Sequence, residues 1–167
     1  MIEPDKFISF LENNFQFITG VPCSYFKQML NYLATNQQKI HLQHILATRE
    51  DEAIGIASGV AFSGKRAIVY MQNSGLGNIG DALTSLAQLY RLPMLLLVSY
   101  RGLEADRDFP EHSLMGEVTE PVLNAMLLPY SLLSDSNWET DLKNAITDME
   151  ESSSPVVLLV DKGVLSE

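Results

Sequence analysis

Three short apolar runs without a single charged residue constrain the fold of this chain most strongly. They cover residues 67–71, 93–98 and 155–160. Polar and apolar residues do not alternate within them, which is typical of strands that are buried on both faces of a sheet. Segments with helical periodicity lie between these runs. The alternation predicts an α/β fold, with a doubly wound parallel sheet of about six strands and helices on both faces.

The remaining segments extend this alternation over the whole chain. Helical periodicity predicts helices at residues 4–14, 26 to about 35, 50–62, 77–90, 118–126 and 137–151. Further strands are predicted at 15–19, at 41–47 and, as a short one, at 132–133. With 167 residues, we expect a single domain, residues 1–167.

One long irregular stretch, residues 100–116, interrupts the pattern and is rich in charged residues. Irregular segments of this length inside a compact domain are typically functional loops. We therefore expect residues 100–116 to form a lid that is mobile in the isolated chain.

Composition excludes several classes of function. The net charge is −10 and no basic cluster is present, which disfavours binding to a nucleic-acid backbone. The apolar runs are much shorter than the roughly 20 residues that a membrane-spanning helix needs. The single cysteine, Cys23, excludes a disulfide within the chain, and the first residues lack the pattern of a signal peptide. We expect a reduced, cytoplasmic protein.

An acidic triplet, Glu50, Asp51 and Glu52, begins the predicted helix 50–62 directly after a predicted strand. Carboxylates in the first turn of a helix interact favourably with the helix dipole, and this interpretation can account for all three. Open α/β sheets also bind ligands at the carboxyl ends of their strands, where this triplet lies. Both interpretations remain open at this point.

Small residues occupy much of the same helix. Ala53, Ala57 and Ala61 form one stripe, and Gly55 and Gly59 form a second stripe that we expect to be adjacent. Because nothing large projects from these positions, the helix is predicted to be buried and to lie close to its neighbours.

A glycine-containing segment, residues 72–78, follows the apolar run 67–71 and opens the next predicted helix. Its backbone N–H groups could approach a ligand closely. It matches neither the phosphate loop nor the dinucleotide-binding fingerprint, and a glycine turn at such a place also occurs without function.

The remaining candidates for chemistry are a cysteine and three histidines. Cys23 has no flanking histidine or basic residue, which is typical of a small core residue rather than a nucleophile. His41 and His44 lie three apart in a predicted strand and lack the spacing of metal ligands, so we predict no metal site. His112 lies in the charged stretch near Arg101, where a solvated loop and a functional role are both possible.

Several of these segments together resemble a known family. Glu50 and Gly59 stand nine residues apart in an alanine-rich helix, as in the pyrimidine-binding domain of thiamine-diphosphate enzymes. The chain is most similar to the sulfopyruvate and phosphonopyruvate decarboxylase branch of that family. The matching segments are Gly20-Val-Pro22 with Ser24, Thr48-Arg-Glu-Asp-Glu52, residues 71–78, Leu83-Thr-Ser-Leu86, residues 93–97, Arg101-Gly102, His112 and Lys162-Gly163.

The resemblance implies a set of site residues. It implies that Glu50 is catalytic, through a hydrogen bond to the ring nitrogen of the cofactor's aminopyrimidine. The other residues that would contact thiamine diphosphate are Val21, Pro22, Gly75 and Leu76. The residues that would bind the substrate or relay protons are Ser24, Asn73, Arg101 and His112, with His112 also a catalytic candidate.

The resemblance also implies a partner. The chain lacks the Gly-Asp-Gly motif through which the family binds diphosphate by way of Mg²⁺. A β subunit that carries the diphosphate-binding domain is therefore expected, in a hetero-oligomer that holds the cofactor and Mg²⁺. The implied reaction is decarboxylation of 3-sulfopyruvate or 3-phosphonopyruvate to the corresponding acetaldehyde and CO₂. The alternatives are a carboligase with the same cofactor, a non-catalytic regulatory subunit, and a flavodoxin-like nucleotide-binding domain.

Overall fold

The computed structural model describes residues 1–103 and 108–165. Six strands form one sheet: β1 (Phe17–Gly20), β2 (Gln43–Leu46), β3 (Ala67–Gln72), β4 (Leu95–Ser99), β5 (Tyr130–Leu133) and β6 (Val156–Val160). Their order is β2-β1-β3-β4-β6-β5, and every neighbouring pair is parallel. The predicted doubly wound parallel sheet is confirmed.

Helices cover the two faces of this sheet. The α-helices are α1 (Pro4–Asn14), α2 (Lys27–Thr35), α3 (Glu50–Phe62), α4 (Ser113–Ala125) and α5 (Trp138–Ser152). Short 3₁₀ turns occupy Ser24–Phe26, Asn73–Gly77 and Pro110–His112, and a π-helix occupies Ala82–Gln88. Helices α1, α2 and α5 share one hydrophobic cluster with the sheet, whereas α3, the π-helix and α4 share the other.

Strand β4 shows why the apolar runs are continuous. Leu95 and Leu97 belong to the cluster with α1, α2 and α5, whereas Leu96 and Val98 belong to the cluster on the opposite face. All four side chains are fully buried. Complete burial of one such side chain contributes about 1.5–3 kcal/mol to folding, so a polar residue at any of these positions would be costly.

The expected irregular stretch 100–116 is shorter than predicted. Helix α4 begins at Ser113 rather than at residue 118, and a 3₁₀ turn that starts at Pro110 leads into it. Gly116, the last residue of the expected irregular stretch, lies inside this helix, and a Cβ there would come 2.1 Å from the carbonyl oxygen of Gly102. The glycine thus permits close packing rather than ending a helix. Residues 104–107 lie outside the described residues, so the mobility of this stretch stays a prediction.

Two other expectations need correction. A helix does lie within the predicted range 77–90, but it is the shorter π-helix Ala82–Gln88, and the 3₁₀ turn Asn73–Gly77 precedes it. The alanine stripe of α3 is buried at Ala53 and Ala57, but a Cβ on Gly55 or Gly59 would meet no described atom within 4 Å. Positions two residues apart differ by about 200° around a helix, so the glycines lie almost opposite the alanines instead of beside them.

The close packing of β1 against β3 generates a stability prediction. A Cβ on Gly20 would lie 2.0 Å from the backbone oxygen of Tyr70, and backbone atoms inside a sheet cannot move aside. Gly20→Ala should lower the free energy of unfolding by about 2–3 kcal/mol, as measured by urea denaturation of the full chain.

Gly59→Ala is the matched control, because a methyl group there enters open space on a helix. It should raise the free energy of unfolding by about 0.5–1 kcal/mol, the usual gain when alanine replaces glycine in a helix. Equal stability of the two variants would contradict the close approach at Gly20.

Candidate functional site

The candidate site lies at the topological switch point of the sheet, between β1 and β3. The chain passes from β1 to β2 on one side and then crosses to β3 on the other side of β1. Open α/β sheets bind ligands at such switch points, beside the carboxyl ends of the strands. The segments that follow β1, β2, β3 and β4 contain the predicted site residues, with the exception of His112, which precedes α4.

Two members of the acidic triplet are engaged locally at the start of α3. Arg49 donates to Asp51 over 3.0 Å, and Glu52 Oε2 accepts hydrogen bonds from the Thr48 N–H at 2.7 Å and the Thr48 hydroxyl at 2.6 Å. These bonds, from Arg49 to Asp51 and from Thr48 to Glu52, lower the pKa of each carboxyl. Helix-start chemistry therefore accounts for Asp51 and Glu52.

Glu50 behaves differently, because its side chain turns to the segment after β3. Its Oε2 accepts a hydrogen bond from Asn78 Nδ2 at 2.7 Å. A Cβ on Gly75 would come 2.5 Å from Glu50 Cγ, so only glycine leaves room for this side chain. Within the described part of the chain, no donor forms a hydrogen bond with Oε1 of Glu50. One oxygen of a half-buried carboxylate at the ligand-binding edge is thus available to a ligand.

The glycine turn presents backbone rather than side chains at this edge. Leu76 is completely buried and anchors the turn in the core, and Gly75 is buried beneath Glu50. On the neighbouring segment, the Val21 N–H donates to the Tyr70 carbonyl at 3.1 Å, and Pro22 is exposed. The turn and the segment after β1 are therefore held by the sheet, in positions where their backbone could flank a planar ring.

Arg101 is the centre of a second group of contacts. Its guanidinium donates to both oxygens of Asp108, from Nε to Oδ2 at 2.8 Å and from Nη2 to Oδ1 at 2.6 Å. Nη1 donates to the Ser24 hydroxyl at 2.8 Å, and the guanidinium carbon lies 4.5 Å from the centre of the Tyr25 ring. The side chains of Arg101 and Asp108 are only 8% and 6% exposed. This is a buried, bidentate ion pair.

Electrostatics in this group favour the charged forms of both partners. Burial alone would raise the pKa of Asp108, but the hydrogen bonds from Arg101 and from the N–H groups of Phe109 and Gly102, with the contact to His112, outweigh burial and hold this pKa well below its usual range. Burial opposes the charge of Arg101 as well, yet the bond to Asp108 leaves its pKa raised. Burial and the charge of Asp108 raise the pKa of Tyr25 to about 12, so its hydroxyl stays a donor at neutral pH.

His112 joins the same group through one ring nitrogen. Its Nδ1 lies 3.1 Å from Asp108 Oδ1 and 3.1 Å from Arg101 Nη2. Arginine only donates and an ionised aspartate only accepts, so the tautomer of the ring decides which of the two contacts is a hydrogen bond. No hydrogen bond from the residues described reaches Nε2 of His112. That nitrogen remains available to exchange a proton with a ligand.

Asn73 is placed inside the protein rather than on the surface of the site. It is completely buried, and its Nδ2 donates to the Arg101 carbonyl and to the Thr119 hydroxyl, both at 2.8 Å. Its Oδ1 has no hydrogen-bond partner among residues 1–103 and 108–165. Asn73 therefore ties the glycine turn to Arg101, and its predicted contact with a substrate remains untested.

The other candidates have structural surroundings. Cys23 is buried, and its Sγ lies 3.2 Å from the Ser99 hydroxyl. His44 Nε2 lies 2.8 Å from the Tyr70 hydroxyl, and burial lowers the pKa of His44. In the described ranges, no group of three or more His, Cys, Asp or Glu side chains could hold a metal ion, and no helix is long and apolar enough to cross a membrane.

Sequence reasoning missed the residues that connect the predicted ones. The sequence patterns do not identify Asp108, Tyr25 or Thr119, and they include Asn78 only as part of the segment 72–78. Asp108 had one available signal, because it lies four residues before His112, which is the spacing of one helical turn. Tyr25 and Thr119 had none, since their partners are distant in sequence.

Comparisons with known proteins agree on one family. The family model for the N-terminal TPP-binding domain of thiamine pyrophosphate enzymes matches residues 5–121. The sulfopyruvate decarboxylase subunit alpha of Methanocaldococcus jannaschii is 34% identical over 90% of this chain and 87% of its own length. The protein of the same name from Methanococcus maripaludis is 38% identical over 72% of this chain and 70% of its own length.

Longer proteins match over only part of their length. The phosphonopyruvate decarboxylase of Streptomyces viridochromogenes is 30% identical over 90% of this chain but only 38% of its own length. The solved thiamine diphosphate-dependent 4-hydroxybenzoylformate decarboxylase of Rhodococcus jostii superimposes with a TM-score of 0.71 at 16% identity, over 99% of this chain and 31% of that one. At this identity the superposition shows a shared fold alone.

The Arg101–Asp108 pair generates a prediction about pH. Because the pKa of Asp108 is lower in the folded chain than its ordinary value of about 3.9, its stabilisation is present above about pH 5 and is lost as the pH falls through the folded pKa. Asp108→Asn should cost about 3 kcal/mol at neutral pH, since it leaves a buried arginine without a counter-charge. Urea denaturation should show this difference shrinking as the pH is lowered from about 5 to 2.

Asp51→Asn is the control for the same chemical change in an exposed ion pair, between Arg49 and Asp51. Its effect on the free energy of unfolding should be small and should disappear in high salt, because solvent screens exposed pairs. A difference between wild type and Asp108→Asn that does not change with pH would contradict the assignment of Asp108 as an ionised partner.

Proposed function

We propose a substrate and a mechanism from one premise: this chain belongs to the thiamine pyrophosphate enzymes and is a homologue of their sulfopyruvate and phosphonopyruvate decarboxylases. The proposed activity is that of an α subunit in a decarboxylase that converts 3-sulfopyruvate or 3-phosphonopyruvate into the corresponding acetaldehyde and CO₂. The observation that carries the proposal is Glu50, the one member of the acidic triplet whose carboxylate faces the glycine turn.

Glu50 would hold the cofactor by its ring nitrogen. Thiamine diphosphate supplies an electron sink for the pair released when CO₂ leaves. The described residues fit its aminopyrimidine, because Oε1 of Glu50 has no described donor and Gly75 leaves the carboxylate room. Glu50 would share a proton with the ring nitrogen, a role that requires a carboxylic acid. The backbone of Val21, Pro22, Gly75 and Leu76 would flank the ring and exclude water from its faces.

The substrate would bind on the Arg101 side of the site. A sulfonate or phosphonate needs charge-assisted donors, and Arg101 carries a positive charge at the carboxyl end of β4. Ser24 would orient the guanidinium that it contacts, and Nε2 of His112 would exchange a proton with the substrate or product. Asn73, which is completely buried, would act on the substrate site by holding the Arg101 backbone in place.

A partner completes the proposed enzyme. The relatives from Methanocaldococcus and Methanococcus are named as α subunits, which supports a second, β subunit for this chain as well. That subunit would bind the diphosphate and Mg²⁺. The chain itself would contribute one pyrimidine-binding domain to a hetero-oligomer in the cytoplasm, a location that the unpaired thiol of Cys23 favours.

The central experiment is a decarboxylation assay on this chain co-expressed with its partner subunit. Sulfopyruvate, phosphonopyruvate and pyruvate are compared in the presence of thiamine diphosphate and Mg²⁺. Glu50→Gln should lower kcat by about 10²–10⁴-fold, because an amide cannot share the required proton. Asp51→Asn, one residue along the same helix, should leave turnover unchanged. Turnover of pyruvate but of neither sulfopyruvate nor phosphonopyruvate would contradict the proposed substrate. Full activity of Glu50→Gln would contradict the proposed mechanism.

The glycine turn supplies a second, sterically matched test. Gly75→Ala should push the Glu50 side chain away from its position and lower kcat on the order of 100-fold, since small displacements of catalytic groups have such effects. Gly77→Ala is the control. Gly77 lies in the same 3₁₀ turn, but a Cβ there would meet no described atom within 4 Å. Both variants should keep the wild-type circular dichroism spectrum. Equal activity of the two variants would show that Gly75 does not position Glu50.

A further inference from the structure

The pocket around the Asp108 carboxylate has the composition of an anion receptor. The carboxylate oxygens of Asp108 accept hydrogen bonds from Nε and Nη2 of Arg101 and from the Gly102 N–H at 3.0 Å. They also lie 3.2 Å from the Tyr25 hydroxyl, 2.8 Å from the Phe109 nitrogen and 3.1 Å from Nδ1 of His112. Protein sites that bind a ligand carboxylate, sulfonate or phosphonate use the same donors, namely a guanidinium fork with backbone N–H groups. Here a side chain of the protein occupies the site.

These donors divide into two sets. Arg101 and Gly102 follow β4 directly, and Tyr25 lies in the 3₁₀ turn after β1, so this set is attached to the sheet. The Phe109 N–H and His112 belong to the same short stretch as Asp108. If the Asp108 carboxylate withdrew, the first set would remain in place as a positively charged site without its anion.

Charge makes an empty site unfavourable. Arg101 is buried, and a buried guanidinium without a counter-charge is strongly destabilising. An anion must therefore be present whenever Arg101 is in this position. Asp108 supplies it in the substrate-free chain, and a substrate with its own anionic head group could supply it instead.

We infer that the Asp108 carboxylate occupies the position of the substrate's sulfonate or phosphonate group, and that the two anions compete for Arg101. This inference rests on the proposed function for the identity of the substrate. The head group is the suitable competitor because it stays anionic throughout the reaction. A guanidinium on the departing carboxylate would stabilise the ground state more than the transition state and would slow decarboxylation.

Competition within one chain has a measurable consequence. Asp108 is tethered beside Arg101, so it acts at a high effective concentration and weakens the apparent affinity for an external anion. Loss of the Asp108 charge should strengthen anion binding. If Asp108 served only to support Arg101 and His112, its loss should weaken anion binding or leave it unchanged.

Direct binding to the full chain tests this without turnover. Calorimetry and thermal shift are measured with methanesulfonate and methylphosphonate, against chloride at equal ionic strength. Asp108→Asn should bind methanesulfonate or methylphosphonate at least tenfold more tightly than wild type, and Arg101→Gln introduced into that variant should abolish the gain. Asp51→Asn, which neutralises an exposed aspartate, should bind as wild type does. No gain in Asp108→Asn over wild type would overturn the inference.

A second variant keeps the test decisive if Asp108→Asn does not fold. Phe109→Pro removes the Phe109 N–H, which donates to Asp108 and does not belong to the sheet-attached set, together with a ring whose centroid lies 6.2 Å from that of His112. The backbone φ of Phe109 is −71°, which proline adopts without strain, and the Phe109 side chain is 63% exposed. This variant should bind the same anions several-fold more tightly than wild type. Equal or weaker binding would contradict the proposed competition.

The assembled enzyme separates this inference from the proposed function. Phe109→Pro should lower KM for the anionic substrate several-fold while KM for pyruvate, which lacks the head group, stays unchanged. If the variants bind anions more tightly in the isolated chain but the assembled enzyme shows no decarboxylase activity, the anion receptor is supported and the proposed function is contradicted. If Phe109→Pro turns over the substrate normally, with unchanged KM and unchanged anion affinity, the proposed function is supported and the anion receptor is contradicted.

Discussion

Burial of both faces of the central strands is the constraint on which the rest of the structure depends. Strands β3, β4 and β6 are buried along almost their entire length, and they alternate their side chains between two separate hydrophobic clusters. A parallel sheet with helices on both sides satisfies this pattern. Parallel strands all end at the same edge, so the loops that carry Glu50, Gly75 and Arg101 are brought together by the core and not by their own sequences.

Close approach at glycine then determines the details of that edge. Gly20 allows β1 to lie against the Tyr70 backbone, Gly75 admits the Glu50 side chain, and Gly102 with Gly116 allows α4 to start beside the end of β4. In each case a methyl group would meet an atom at 2.5 Å or less. The site is therefore built from close approaches to backbone atoms at Gly20, Gly102 and Gly116 and to the Glu50 side chain at Gly75, which gives its two charged centres defined surroundings.

The two charged centres solve opposite electrostatic problems. Glu50 keeps one carboxylate oxygen without a described donor, and this suits a group that shares a proton with a ligand. Arg101 is paired with Asp108 and donates to Ser24, because a buried cation is strongly destabilising without an anion beside it. In the proposed function the first centre would receive the cofactor, whereas at the second the anionic group of the substrate would replace Asp108.

The amino-acid sequence by itself determined the sheet, the family and most of the candidate residues. Apolar runs indicate buried strands directly. The spacing of Glu50, Gly59 and the glycine segment 72–78 is a local property of the chain and can be recognised in the sequence. It also predicted the bounds of α1, α3 and α5 to within a residue. Where it failed, as at the start of α4, Gly116 packs against the Gly102 backbone inside a helix, a long-range contact that no local pattern shows.

Only the tertiary structure decided how the candidate residues interact. It separated Glu50 from Asp51 and Glu52, although all three have the same side-chain chemistry and adjacent positions. It placed Asn73 in the interior and identified Asp108 as the partner of Arg101. The physical reason is that hydrogen bonds and ion pairs depend on distances of a few ångströms between segments far apart in sequence, and no local pattern encodes those distances.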